Sequence, residues 1–319
     1  TRHWGPPYMP DADGNPTEES AYYLCTNRGK ESLRIDMRTP EGQAQVRALA
    51  RDVDVVVENF KVGGLKKYGL DYESLAADNP RLVYCSITGF GQDGPYAHRP
   101  GYDFLIQAMG GLMSVTGAPA AEGGEPQKIG VALSDIMTGL YATSGILAAR
   151  SEREQSGRGQ YVDLALLDVT AATLANQASN FLVGGVVPQR LGNAHPNVVP
   201  YQVFATADGH CIVAVGNDGQ FRNMARLLGL EQLADDPRFA TNRARVEHRD
   251  ELIPMLQEKL ALRTRGEWLE AFESVGVPAG PINDIEEVFN DPQVIARGMR
   301  VQLPHPLNPE LEVVGNPIK

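Results

Sequence analysis

Two apolar rhythms alternate along the first half of the chain. Thr39-Pro40-Glu41 offers a capping hydroxyl, a proline at the first helical position and an acid in the first turn, which predicts a helix start. That helix carries Val46 and Leu49, then gives way to Val53-Asp54-Val55-Val56-Val57, a β-branched run that predicts a buried strand. A helical stretch over 72–77 stops at Asn79-Pro80, and Leu82-Val83-Tyr84-Cys85-Ser86-Ile87 is a second apolar strand. Helices alternating with buried strands predict an α/β fold, an open parallel sheet covered by helices on both faces.

The spacing turns helical over 102–115, with a small-residue break at Gly110-Gly111. A longer helix rich in Gly and Ala follows over 134–150, then a strand over 160–166 and a helix over 168–183. Residues 184–200 are a Gly/Pro-rich connector. Beyond it come strands over 201–206 and 211–215 joined at Asp208-Gly209, and helices over 219–228, 243–261, 265–275 and 283–289. Short strands over 301–303 and 311–314 lead back out. The expected organisation is a large α/β domain over 1–184, a linker over 185–200, a smaller α+β domain over 201–298 and a return connection to the large domain over 299–319.

Composition narrows the function. The chain is 42% hydrophobic and 22% charged over 319 residues, ordinary for a soluble globular protein, and no apolar run approaches the roughly 18 residues of a membrane helix. A net charge of -11 argues against nucleic acid or an anionic membrane as partner, while leaving room for a small anion held by local Lys and Arg. Cys25, Cys85 and Cys211 are far apart and odd in number, which predicts a reducing compartment and a cytoplasmic location. The sequence opens without Met in the loop Trp4-Gly5-Pro6-Pro7-Tyr8 and closes on Gly315-Asn316-Pro317-Ile318-Lys319, so further segments are expected at both ends.

No metal site is expected, because the six histidines are scattered and neither CxxC nor HExxH occurs. GxSxG, GxxxxGK[ST] and GxGxxG are absent too. Gly216-Asn217-Asp218-Gly219-Gln220 follows a strand and opens a helix; by itself it reads first as a plain turn, and second as backbone N–H groups presented to an anion. Asn59-Phe60-Lys61-Val62-Gly63-Gly64-Leu65-Lys66-Lys67 lies beyond the carboxyl end of a predicted parallel strand, where open α/β sheets bind ligands. A solvated basic turn is its other reading. Asp135, in the small apolar segment Gly130-Val131-Ala132-Leu133-Ser134-Asp135, is either a helix cap or a carboxylate presented at a helix end. A carboxylate is nucleophilic near neutral pH without a base, its ordinary pKa being about 3.9.

Taken together, Glu58-Asn59-Phe60 with its basic turn, Ser86-Ile87-Thr88-Gly89-Phe90-Gly91, Gly101-Tyr102-Asp103, and Ser134-Asp135 before Gly139 resemble the family III acyl-CoA transferases over essentially the whole chain. The resemblance implies a Rossmann-like large domain and an interlocked homodimer. It assigns the covalent nucleophile to Asp135 and coenzyme A contacts to Lys30, Asn59, Phe60, Lys67 and Tyr102. Gly216, Asn217, Asp218, Gly219 and Gln220 match a mobile active-site loop. CoA enters as substrate, with no permanently bound cofactor. The implied reaction moves CoA from an acyl-CoA to a carboxylic acid. Tyr84 to Gln92 and Asn193 to Gln202 look most like the branch that pairs succinyl-CoA with dicarboxylates such as glutarate, and Arg99, Arg190 and His195 are candidates for the distal carboxylate. An α-methylacyl-CoA racemase of the same fold is the alternative, but racemases carry a His where this chain has Tyr102, a poor base with an ordinary pKa near 10. A silent CoA-binding protein is the alternative of another class.

Overall fold

A computed structural model describes residues 1–319. The chain forms two compact units, one of Arg34–Asn197 and one gathering Thr1–Leu33 with Val198–Lys319. Residues 1–33 begin with an antiparallel pair, β1 (Tyr8–Pro10) and β2 (Pro16–Ser20), followed by the short helix α1 (Ala21–Thr26). The Ser20 hydroxyl caps α1 by accepting the Tyr23 N–H at 3.1 Å.

In the unit 34–197, α2 (Pro40–Asp52) starts as its sequence predicts, with Thr39 Oγ1 accepting the Gly42 N–H at 3.0 Å. Its Ala50 and Val46 pack with Leu65, Leu70, Leu75, Leu82 and Tyr84, whereas Leu49 is exposed. Strands β3 (Val55–Glu58), β4 (Val83–Thr88) and β5 (Tyr161–Ala165) form a parallel sheet in the order β3-β4-β5, and α3 (Tyr72–Asp78) links the first two. The register sets Glu58, Ser86 and Asp163 side by side near the carboxyl end. Asn79 stops α3 and donates through Nδ2 to the Ala50, Arg51 and Val53 carbonyls, tying the end of α2 to the same corner. Only β4 has a continuous buried run, Val83 to Ser86. Val57 on β3 stays exposed, so the expected cover on both faces does not extend to that edge.

Helices α4 (Asp103–Met109) and α5 (Leu112–Val115) meet at the predicted Gly110-Gly111 break. Gly111 sits at φ +88°, and a Cβ on Gly110 would lie 2.5 Å from Thr170 Cγ2, so both positions demand glycine. The 24-residue helix α6 (Leu133–Ser156) buries Ser134, Thr138, Ala142, Ala149 and Arg153 along one stripe. Small residues on that stripe let the helix backbone approach the sheet; a Cβ on Gly145 would touch Val162 Cγ1 at 3.3 Å. The expected single helix over 168–183 is two, α7 (Leu166–Thr173) and α8 (Ala175–Leu182), broken where Ala175 takes φ +46°.

In the other unit, β6 (Tyr201–Thr206), β7 (Gly209–Ala214) and β8 (Ala279–Pro281) form an antiparallel sheet, the last of these unforeseen in the sequence. Helices α9 (Asp218–Leu227), α10 (Asn242–Glu247), α11 (Arg249–Leu260) and α12 (Arg265–Ser274) surround a core that includes Phe204, Phe221, Phe239, Leu256 and Phe272. The helix predicted over 243–261 is interrupted at His248. After α13 (Ile285–Asn290) and α14 (Pro292–Ala296), β9 (Arg300–Gln302) pairs antiparallel with β10 (Glu312–Val314). This end of the chain holds the beginning: Ala12 N–H donates to Leu307 O at 2.9 Å, Asn308 Nδ2 to Pro10 O at 3.0 Å, and the Arg28 guanidinium to Val314 O. These bonds group 1–33 with 198–319, where the sequence reading joins 1–33 to the large domain and returns 299–319 to it. No helix is long and apolar enough to cross a membrane.

Candidate active site

The amino end of α6 lacks a cap of its own, because Ala132 at the N-cap has no side-chain acceptor. Asp103, the first residue of α4, supplies one. Its Oδ1 accepts the Ser134 N–H at 2.9 Å and the Asp135 N–H at 3.4 Å, while Oδ2 accepts Gln107 Nε2 at 2.7 Å. Gln107 is buried and its Oε1 accepts the Ile129 N–H at 2.9 Å, so the strap before α6 is fastened to the same carboxylate. Thr170 on α7 donates to Ser134 Oγ at 2.8 Å. Upstream, Gly101 rests on Gly89 backbone to backbone; a Cβ on Gly89 would lie 2.5 Å from the Gly101 Cα. The segment Gly101-Tyr102-Asp103 is therefore held between the end of β4 and the head of α6.

This arrangement presents Asp135 in the first turn of α6, exposed by surface area, and Tyr102, the residue before Asp103, 75% exposed. Partial enclosure of the Asp135 carboxyl, and then the negative charge of Asp103, raise its pKa above the ordinary value. A raised pKa makes the carboxylate a more basic nucleophile once ionised. Asp103 disfavours the ionised form of Asp135, so removing its charge lowers the Asp135 pKa. Any step that needs the carboxylate gains rate as pH rises through that pKa. Asp103→Asn, which keeps a capping oxygen, is expected to shift the acid limb of the kcat/KM profile to lower pH. Asp103→Ala also loses the cap and is expected to cost about 1 kcal/mol of stability, measured by urea unfolding.

A second feature lies beyond β3. A cavity of about 510 Å³ is lined by residues including Glu58, Lys61, Lys66, Tyr72, Tyr84 and Tyr161. Glu58 Oε2 accepts the Phe60 N–H at 2.7 Å, and Ser86 Oγ donates to Glu58 Oε1. Asn59 and Phe60 are exposed on this turn, and Lys67 stands over the Tyr68 ring at 4.7 Å. Burial raises the Tyr84 phenol well above its ordinary range and also raises Cys85, so neither offers a ready anion.

The unit 34–197 thus contains Asn59, Phe60, Lys67, Tyr102 and Asp135. Lys30 and Gly216 to Gln220 belong to the other unit. Lys30 Nζ donates to Thr26 O at 2.7 Å. The segment expected to be a mobile loop is fastened at several points. Asn217 Oδ1 caps α9 by accepting the Gln220 N–H at 2.9 Å, and Gln220 Oε1 accepts the Gly216 N–H at 2.8 Å. Asp218 meets the fully buried Arg245 at 2.8 Å. While the Gln220 bond stands, the Gly216 N–H is not free for an oxyanion. Of the candidates for a distal carboxylate, Arg190 spends its guanidinium on the Ala118 and Gly124 carbonyls, both at 3.2 Å. Arg99 stacks on Tyr96 at 4.1 Å, and His195 Nδ1 accepts the Asn197 N–H at 3.0 Å. No group of three or more His, Cys, Asp or Glu is placed to hold a metal ion.

Sequence reasoning gave roles to Tyr102 and Asp135 and none to Asp103 or Glu58. The signal for Asp103 was present, since an alanine before α6 leaves its first N–H groups in need of an outside acceptor.

The chain is 56% identical over 303 residues to a succinate–glutarate CoA-transferase of Agrobacterium fabrum, spanning 95% of this chain and 75% of that protein. It is 40% identical over 319 residues to the succinyl-CoA:glutarate CoA-transferase of Mus musculus, covering 100% of this chain and 71% of the relative. A crystal structure of a CAIB/BAIF family protein from Brucella suis superposes with a TM-score of 0.83 at 52% identity, covering 100% of this chain and 82% of that one. The model of CoA-transferase family III matches residues 1–319 throughout, and the chain belongs to that family of CoA-transferring enzymes.

Proposed function

We propose that the protein transfers CoA from succinyl-CoA to a dicarboxylate, glutarate foremost, through covalent intermediates on Asp135. The observation that carries the nucleophile is an exposed carboxylate at a helix end whose backbone N–H groups Asp103 caps. The 56% identity to a succinate–glutarate CoA-transferase supports the substrates. In the first step an Asp135 oxygen attacks the thioester carbonyl, the C–S bond breaks and CoA leaves as thiolate, giving a mixed anhydride. The thiolate then attacks the aspartyl carbonyl and expels succinate, leaving an aspartyl–CoA thioester. The acceptor carboxylate attacks that thioester, the C–S bond breaks and CoA leaves again as thiolate, giving a second anhydride. CoA thiolate finally attacks the acceptor's acyl carbon, releasing the new thioester and the Asp135 carboxylate. The cycle needs no water, redox change or net proton.

The turn carrying Asn59, Phe60 and Lys67 receives the CoA nucleotide in this reading, and Tyr102 stands beside the thioester. A racemase is disfavoured because Tyr102 stands where its base is required. The enzyme works as a homodimer, a reading supported by exposed apolar side chains on the helices of the unit 34–197, among them Phe104, Leu140, Leu147 and Leu182.

Incubation with succinyl-CoA is expected to add a CoA-sized mass to the intact protein, released by hydroxylamine. A CoA-binding protein that gains no such mass would refute covalent transfer. In an acceptor panel, glutarate and its C4 to C6 dicarboxylate neighbours are expected to exceed monocarboxylates in kcat/KM. Turnover of monocarboxylates alone would refute the substrate assignment while leaving the mechanism standing.

A further inference from the structure

The turn proposed to receive CoA has little packing to hold its shape. Phe60 is 45% exposed, Asn59 and Lys61 are exposed, and Gly63 and Gly64 add freedom where the chain turns. Its fixed point is a carboxylate. Glu58 ends β3, and one of its oxygens reaches forward to the Phe60 N–H at 2.7 Å. The other accepts the hydroxyl hydrogen of Ser86, the residue directly beside Glu58 on β4 and only 1% exposed. Ser86 Oγ in turn accepts Gln92 Nε2 at 2.9 Å, and the Gln92 N–H points at Asp163 Oδ2 at 3.3 Å. Asp163 lies beside Ser86 on β5, so one row across all three strands ends at the Phe60 amide.

A carboxylate suits this place because it only accepts hydrogen bonds, and both of its neighbours here, an amide and a hydroxyl, donate. The Phe60 N–H lies just past the strand, where no ladder partner is available to it. The geometry points to Glu58 as a positioning residue for CoA recognition: by bridging buried Ser86 to the Phe60 amide, it presets the Asn59-Phe60 turn in the form that receives CoA. Removing the bridge leaves the turn free to sample other conformations, and binding then carries the cost of ordering it. Chemistry at Asp135 should be untouched once CoA is bound.

This inference rests on the reading that the Asn59-Phe60 turn contacts CoA, so its test carries a control for that reading. The affinity of CoA for the full chain would be measured by calorimetry, beside transfer kinetics with succinyl-CoA and glutarate. Glu58→Ala is expected to weaken CoA binding about tenfold while kcat at saturation stays within about twofold. Glu58→Gln keeps an acceptor for Phe60 and a donor for Ser86 Oγ, and is expected to restore affinity to within about threefold of wild type. Ser86→Ala frees the carboxylate from its anchor without emptying the site, and a loss of about threefold is expected. Should Glu58→Ala not fold, the Ser86→Ala affinity decides. Phe60→Ala is the control: unchanged CoA affinity there refutes the contact itself. Weakened affinity in Phe60→Ala with wild-type affinity in the Glu58→Ala and Ser86→Ala proteins overturns the positioning role. So does a Glu58→Ala protein that loses kcat and glutarate KM as severely as CoA affinity.

Discussion

Replacing Asp135 with alanine is expected to abolish CoA transfer, lowering kcat by on the order of 10⁴-fold or more, and to remove the CoA-sized adduct altogether. The size follows from the role. Every proposed intermediate contains the Asp135 carbonyl, so without it both half-reactions lose their route, and direct attack of one carboxylate on a thioester is what remains. Asp135→Asn should fail equally, since an amide preserves shape and lacks the nucleophilic oxygen anion. Asp135→Glu discriminates further: it retains the carboxylate but moves it by one methylene, and a displacement near 1 Å can cost about 10²-fold. The variants should bind CoA normally, because Asp135 lies outside the Asn59-Phe60 turn. A Asp135→Ala protein that still forms a hydroxylamine-labile adduct would place the nucleophile elsewhere.

Arg245→Ala is expected to be the most destabilising single change in the unit that contains it, by roughly 3–5 kcal/mol. Arg245 on α10 is 0% exposed, and each face of its guanidinium is used. Nε donates to Val199 O at 2.7 Å, Nη1 to Phe239 O at 2.9 Å and Nη2 to Asp218 at 2.8 Å, with the Phe221 ring 4.4 Å from the guanidinium carbon. Burial lowers its pKa, and the Asp218 hydrogen bond works against that shift. Truncation would leave two buried carbonyls without donors and a cavity beside Phe221. Asp218 is half exposed and stays solvated, so the unpaired carboxylate adds less than the carbonyls do. A fall in Tm on the order of 10 °C is expected, read by circular dichroism. Arg245→Met fills most of the volume and should recover part of that loss. Because Asp218 heads α9, the same variant would loosen Gly216 to Gln220, visible as faster amide exchange at those residues. An unchanged Tm would contradict this account.

The elements of the unit 34–197 were legible wherever local chemistry and burial agree. Thr39-Pro40 announced α2, Asn79-Pro80 ended α3, and Gly110-Gly111 split α4 from α5 because no other residue pair fits that crossing. Boundaries slipped where exposed apolar residues imitate buried ones. Val53 precedes the strand that was expected to include it, and Leu49, one of the two apolar residues that marked α2, faces solvent. The single helix read over 168–183 hid a break that no Gly or Pro marks, since Ala175 adopts the left-handed region unaided. Strands β1, β2 and β8 are short, and β2 is polar from Thr17 to Ser20, so hydrophobic alternation had nothing to register. At the site, residues could be matched one at a time, but the bonds among them could not. Asp103 to Asp135 and Glu58 to Ser86 join positions some thirty residues apart; the first pair emerges only when α4 packs on α6, the second only when parallel strands fix their register.

The union of residues 1–33 with a stretch 286 to 298 residues later in the chain bears on how the protein is made on the ribosome. Arg34–Asn197 is continuous and has its partners in hand as soon as it emerges. Residues 1–33 do not, because Pro10, Ala12 and Arg28 wait for Asn308, Leu307 and Val314. At roughly 5–20 residues per second, this segment waits for on the order of half a minute, apolar Trp4 and Tyr22 included. It is made well before it is housed, which makes it a natural address for a chaperone during synthesis.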